Sequence, residues 1–237
     1  MADDVRIKIV EGGPYIVSGD IPVYQGILEP DDSGTASESW THGRDYDTGG
    51  RGTFALCRCG QSETKPFCDG THTHIGFDKP ETASRLPYLA SVKVYPGDGI
   101  ELLDRKDVCA YARFCDRGIN TWHKVLRTSP DHPEYRPEYE EDSIKEAGLC
   151  PSGRLTVRRG DELIEPELPK EIKVTEDSLR KCKGPLAVTG GITLVSADGT
   201  EYELRNRYTL CRCGESKNLP FCDGTHFDCE QMKGLDK

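Results

Sequence analysis

The sequence predicts a β-rich fold with short helices, built from a small β-unit that occurs twice. A loop at residues 57–72 recurs at 211–226 with identical spacing of its three cysteines and one histidine. Short segments of alternating, β-branched residues precede both loops, and such alternation is typical of strands. The duplication therefore predicts two matching β-units, each ending in a Cys/His loop, with a middle segment inserted between them.

The predicted strands occupy equivalent positions in the two units. The matching segments are 5–9 and 171–174, 13–21 and 184–192, and 53–56 and 207–210. The first unit has additional residues near 29–52 that are rich in Asp, Ser, Thr and Gly, so we expect a long surface loop there. These patterns divide the chain into a first unit at 1–77, a middle segment at 78–170 and a second unit at 171–237.

The composition narrows the function classes. The chain has 237 residues, with 41 Asp and Glu against 31 Lys and Arg, and a net charge of −10. This acidic balance disfavours nucleic acid as a partner, because phosphate contacts need clustered basic residues. Only 35% of the residues are hydrophobic, so a single large core is not expected.

Eleven cysteines are many for a chain of this length. The acidic residues 1–4 differ from the basic start of a secretion signal, and no run reaches the ~20 apolar residues that span a bilayer. We therefore expect a soluble, cytoplasmic protein without membrane contact. In that reducing compartment the cysteines are expected to act as metal ligands rather than in disulfides.

The repeated loop offers three thiolates and one imidazole. Cys57 and Cys59 are two positions apart, so in an extended loop both side chains face one side. Cys68 and His72 are four positions apart at a predicted helix start, for which Asp69 is the expected N-cap. The same offsets give a second set of candidate ligands, Cys211, Cys213, Cys222 and His226. This donor set suits either zinc or an iron–sulfur cluster, although zinc sites usually pair their cysteines as C-x2-4-C.

The complete pattern, C-x-C-x2-S-x3-P-x-C-D-G-T-H, resembles the signature of the CDGSH iron–sulfur family, the mitoNEET-like proteins. Every signature position is met twice, with threonine at 71 and 225 as the variant residue. The resemblance implies a [2Fe–2S] cluster in each loop. Cys57 and Cys59 would hold one iron, and Cys68 and His72 the other.

The resemblance also implies the arrangement of the two units. Family members with a single motif pair as dimers that share a β-cap. With two motifs in one chain, this protein is expected to be a monomer that contains the pseudo-twofold β-cap internally. The second cluster would be held by Cys211 and Cys213 on one iron and by Cys222 and His226 on the other.

The middle segment contains a second cysteine pattern. Cys109 and Cys115, followed by Cys150 in a C-P-S-G sequence, resemble the divergent single-cluster ferredoxin-like domain. Tyr111 stands where that family often has a histidine. The three cysteines could form a third iron–sulfur centre or be buried without a ligand. A strand is expected at 90–95 and a connecting loop at 129–141.

These features predict a small iron–sulfur protein that passes electrons or whole clusters to a redox protein or an apo iron–sulfur acceptor. No G-x-G-x-x-G loop follows a strand, and no nucleophile and base are combined, so we do not expect an enzyme. The alternative is a zinc-stabilised interaction module without redox activity.

Overall fold

The structure is a computed structural model that describes residues 5–50 and 52–235. It is β-rich with short helices, as predicted. The first unit contains five strands and a one-turn helix: β1 (Arg6–Ile9), β2 (Tyr15–Ser18), β3 (Val23–Pro30), β4 (Ser37–Asp45), β5 (Thr53–Leu56) and α1 (Thr71–His74).

The middle segment folds into a four-stranded antiparallel sheet with two helices. Its elements are β6 (Lys93–Pro96), β7 (Glu101–Asp104), α2 (Thr121–Leu126), α3 (Tyr139–Leu149), β8 (Leu155–Arg159) and β9 (Glu162–Ile164). The sheet order is β6-β7-β8-β9. The second unit adds β10 (Glu171–Asp177), β11 (Cys182–Thr189), β12 (Thr193–Val195) and β13 (Arg207–Leu210).

The two repeated units exchange their third strands. Strand β12 of the second unit pairs in parallel with β1 of the first, with Ile7 opposite Leu194. Strand β3 of the first unit pairs in parallel with β10 of the second, with Val23 opposite Ile172. The resulting sheets run β5-β2-β1-β12 and β13-β11-β10-β3-β4. Each sheet therefore contains strands of both copies, which is the pseudo-twofold β-cap that the family resemblance implied.

The exchanged strands share one hydrophobic core. It includes Ile7 and Val17 from the first unit and Ile172 and Val188 from the second, all completely buried. A separate core lies in the middle segment around Leu102 and the helices that cover its sheet. The expectation that the chain lacks a single large core is consistent with these two clusters.

The surface loop expected near residues 29–52 is wrong in part, because β4 occupies Ser37–Asp45. This strand is at the sheet edge, and among the described strands it pairs with β3 alone. Most of its side chains face solvent, so it lacks the hydrophobic alternation that marks a half-buried strand. Its stability comes from cross-strand contacts such as the stack of Tyr24 on His42, with ring centroids 4.0 Å apart.

Two expectations for the middle segment shift by a few residues. The strand expected at 90–95 begins at Lys93, because a 3-10 turn occupies Tyr88–Ser91 after Pro87. The loop expected at 129–141 ends at Tyr139, where α3 begins. Its acidic residues 140–142 form the first helical turn, where negative charge is favourable.

Candidate metal centres

The first Cys/His loop brings its four predicted ligands together as two pairs. Strand β5 ends at Leu56, so Cys57 and Cys59 follow directly, and their Sγ atoms lie 3.8 Å apart. Helix α1 carries His72, whose Nδ1 atom lies 3.3 Å from Sγ of Cys68. The C-x-C pair therefore follows the end of a strand, and the Cys–His pair lies at the start of a helix.

The second loop repeats this geometry. Strand β13 leads into Cys211 and Cys213, whose Sγ atoms lie 3.5 Å apart. A 3-10 turn at Thr225–Asp228 carries His226, with Nδ1 3.3 Å from Sγ of Cys222. The donor atoms and their pairing are the same in both loops, although the α-helical turn of the first copy is a 3-10 turn in the second.

The separations within the pairs fit two ligands on one tetrahedral ion. Two sulfur ligands at about 2.3 Å from such an ion lie about 3.8 Å from each other. The observed sulfur separations of 3.8 and 3.5 Å agree with this value and exclude disulfides. Across residues 5–50 and 52–235, no three His, Cys, Asp or Glu side chains converge as ligands of one ion.

Backbone hydrogen bonds hold the two ends of each loop side by side. The N–H of Cys57 donates to the carbonyl of Pro66 at 2.8 Å, and the N–H of Cys68 donates to Ala55 at 2.9 Å. The second loop has the equivalent bonds, from Cys211 to Pro220 at 2.8 Å and from Cys222 to Thr209 at 3.0 Å. These hydrogen bonds bring the C-x-C pair close to the Cys–His pair.

The helix expected after Cys68 begins with a different cap from the one predicted. Gly70, not Asp69, is the N-cap, and its φ of 88° lies in the left-handed region that favours glycine. The Asp69 carboxylate instead accepts from the N–H of Thr71 at 3.0 Å and from the N–H of Glu63 at 2.7 Å. Hydrogen bonds from Thr71 and Glu63 hold the pKa of Asp69 well below its usual range.

The two loops touch each other through glycines. A Cβ on Gly60 would lie 2.6 Å from the carbonyl oxygen of Cys213, and a Cβ on Gly214 would lie 2.8 Å from that of Cys59. Both glycines also have positive φ values, 79° and 77°. Only residues without a side chain allow this approach, so the glycine after each C-x-C pair sets the contact between the sites.

Sequence reasoning did not identify two groups that support the loops. The arginine inside each C-x-C pair is buried: Arg58 donates to the carbonyl of Val10 at 3.1 Å, and Arg212 donates to that of Gly184 at 2.6 Å. Because these arginines occupy the same position in both copies, the repeat could have identified them from the sequence. Tyr15 donates across the repeat to the carbonyl of Cys211 at 2.8 Å, and its hydroxyl has no counterpart, because leucine stands at the equivalent position.

Burial determines the electrostatics of the second site. Burial raises the pKa of the Cys222 thiol well above its usual range, and the neighbouring Cys211 adds to this effect. Burial also lowers the pKa of His226 to about 4, so its imidazole is neutral at physiological pH. A buried thiolate needs a compensating cation, and a neutral imidazole is the form that binds metal.

The two sites differ in exposure. Cys68 and His72 of the first site are half-buried. Their counterparts Cys222 and His226 are only 2% and 3% exposed. The two loops therefore have the same candidate donors but differ in their access from solvent.

The three cysteines of the middle segment line one cavity of about 120 Å³. Cys109 lies in the loop after β7, Cys115 lies in a 3-10 turn at Phe114–Asp116, and Cys150 follows α3 directly. Other residues around the cavity are Tyr111, Trp122 and Arg154. The fold thus gathers the cysteines that the sequence separates by up to 41 positions, counting from 109 to 150.

Arg154 is the principal charged group at this cavity. Its Nη1 atom lies 3.1 Å from Sγ of Cys109, and its Nε and Nη2 atoms donate to the Asp104 carboxylate at 2.6 and 2.9 Å. The Trp122 indole donates to the same carboxylate at 3.1 Å. A guanidinium beside a cysteine sulfur stabilises negative charge on that sulfur.

No helix among the described residues is long and apolar enough to cross a membrane. A search of curated proteins gave no match to the chain. Two family models do match. Residues 12–73 and 183–227 match the iron-binding zinc finger CDGSH type, and residues 95–160 match the divergent 4Fe-4S mono-cluster family.

The matched ranges agree with the structure. Each CDGSH-type range contains one complete set of paired donors, and the mono-cluster range contains Cys109, Cys115 and Cys150. The chain is therefore an iron–sulfur protein of the CDGSH type in tandem form, with a divergent 4Fe-4S mono-cluster segment between its two repeats.

Proposed function

We propose that each Cys/His loop holds one [2Fe–2S] cluster through three cysteines and one histidine. The pairing of the donors carries this proposal. Two cysteine sulfurs 3.8 Å apart and a sulfur–imidazole pair 3.3 Å apart suit one iron each. A single zinc ion would instead need all four donors around one point.

The ligands in these proposed sites are Cys57, Cys59, Cys68 and His72, and Cys211, Cys213, Cys222 and His226. Such clusters supply one-electron chemistry. The chain contributes neutral imidazole in place of a fourth thiolate, which lowers the negative charge around the irons. We therefore expect reduction potentials above the about −400 mV of plant-type ferredoxins with four cysteine ligands.

We further propose that Cys109, Cys115 and Cys150 hold a third iron–sulfur centre. Support comes from their shared cavity and from the Arg154 guanidinium, which lies 3.1 Å from Sγ of Cys109. Three protein sulfurs suit a [3Fe–4S] cluster or a [4Fe–4S] cluster with one iron open to another ligand.

The protein then acts without catalysis of its own, as a monomeric carrier that delivers electrons or clusters to a redox protein or an apo iron–sulfur acceptor. The half-buried His72 and Cys68 support this role, because a partner can reach them directly. Mixing the cluster-loaded chain with apo-ferredoxin distinguishes electron transfer from cluster transfer. Appearance of the cluster absorbance in re-isolated ferredoxin indicates cluster transfer, and reversible reduction without such transfer indicates an electron carrier.

Iron and acid-labile sulfide analysis of anaerobically purified protein tests the ligation. Two irons and two sulfides per Cys/His loop are expected, with further iron in the middle cavity. Replacing Cys109 by Ser should remove only the further iron. A colourless protein with stoichiometric zinc would instead establish the zinc-stabilised module.

A further inference from the structure

The two Cys/His loops differ in what covers them, and Tyr111 of the middle segment lies against the second loop. A Cβ on Gly224 in the second loop would lie 2.3 Å from Cδ2 of the Tyr111 ring. The equivalent Gly70 in the first loop has no described residue within 4 Å of such a Cβ. The backbones are otherwise alike, with φ values of 90° and 88°.

Aromatic packing continues this cover onto the histidine ligand. The Phe227 ring lies 4.1 Å from the His226 ring and meets Tyr111 edge-on at 6.0 Å. Arg180 lies over Phe227 at 4.4 Å from the ring centroid. In the first loop the position after His72 is Thr73, which is exposed. Threonine at position 73 supplies no aromatic ring, so the contact that Phe227 makes with His226 is not repeated there.

The segment that carries Tyr111 is fastened to both repeated units. Arg113 forms a buried ion pair with Asp177 of β10 at 2.7 Å, and it also donates to the carbonyl of Thr35 at 3.2 Å. Tyr111 and Arg113 both have left-handed backbones, with φ values of 56° and 62°. Surrounding contacts must maintain this costly conformation, so the cover is a fixed part of the fold.

We infer that the middle segment closes the second Cys/His site through Tyr111 and leaves the first site as the place of exchange with partners. This inference rests on the proposed function and adds which of the two sites a partner uses. An acceptor protein would reach Cys68 and His72, whereas Cys222 and His226 retain their metal until the cover opens.

Iron removal with site-specific readout tests this inference. Iron is withdrawn from the loaded full chain with ferrozine and ascorbate, and thiols freed at each time are alkylated with iodoacetamide and identified by peptide mass spectrometry. We expect Cys68 to become alkylated about tenfold faster than Cys222, because the second site requires local opening. Equal rates in the unaltered chain would overturn the inference.

Two variants test whether the Tyr111 ring causes the difference between the alkylation rates. Tyr111→Ala should raise the alkylation rate of Cys222 to within about threefold of the Cys68 rate, because the cover is gone. Tyr111→Phe keeps the ring and should leave both rates unchanged. An unchanged Cys222 rate in Tyr111→Ala contradicts the inference.

The same alkylation of the metal-free full chain separates this inference from the proposed function. If metal analysis finds no iron, the proposed clusters fail, but the relative accessibility of Cys68 and Cys222 is still measured. Faster labelling of Cys68, with the difference lost in Tyr111→Ala, supports the closure by itself. Equal labelling in the metal-free chain contradicts it.

Discussion

Alanine substitution at two equivalent glycines measures the contact between the middle segment and the second site. Gly70 and Gly224 have nearly the same φ, 88° and 90°, so alanine meets the same backbone strain of about 1–2 kcal/mol at both. At Gly70 the new methyl group has open space, whereas at Gly224 it would lie 2.3 Å from Tyr111. The Tyr111 ring must move, which adds an overpacking cost of about 1–3 kcal/mol.

The measurement is the free energy of unfolding from urea titration of the full-length anaerobic protein, compared at equal metal content. We expect Gly224→Ala to lose about 1–3 kcal/mol more than Gly70→Ala. In a Tyr111→Ala background the excess should disappear, since the methyl group then has room. Equal losses of unfolding free energy at the two glycines would show that the Tyr111 ring does not pack against Gly224. An excess loss at Gly224 that persists in the Tyr111→Ala background would show the same.

Three further substitutions test separate contacts. Gly60→Ala drives a methyl group against the backbone of Cys213, so both sites should lose iron on purification, whereas Gly70→Ala should retain it. Arg154→Lys keeps the positive charge but removes the guanidinium N–H group that reaches Sγ of Cys109. The reduction potential of the proposed middle centre should then fall by about 60 mV, which in a one-electron couple corresponds to the loss of one hydrogen bond. An unchanged potential in a redox titration would speak against this role of Arg154. Tyr15→Phe should lower the free energy of unfolding by about 1–3 kcal/mol, because the tyrosine hydroxyl is buried against two carbonyls of the second loop. A loss near zero would show that these hydrogen bonds do not stabilise the fold.

The sequence predicted the duplicated elements well because their signals are local. Alternating residues marked β1, β10 and the strands before each loop, and the Cys/His spacing marked both donor sets. The exchange of strands followed only through the family resemblance, since no local pattern shows which unit a strand such as β3 will pair with.

Long-range contacts explain what sequence reasoning missed. The polar strand β4 has no hydrophobic alternation, because it pairs on one side only and faces solvent. Tyr111 lies 115 positions from His226 in the chain, yet its ring covers the same loop. The family resemblance placed Tyr111 where a histidine is common, whereas the structure packs its ring against the second Cys/His loop.

In the proposed ligation the donors of each loop are divided between two irons, with one histidine nitrogen bound to one of them. Electron–nuclear double resonance of the dithionite-reduced protein detects nitrogen on the cluster directly. We predict strong coupling to one imidazole nitrogen per site, with the first-site coupling lost in His72→Cys and the second-site coupling lost in His226→Cys. A paramagnetic [2Fe–2S] signal without nitrogen coupling, or no such signal in a protein that contains zinc, would contradict the account.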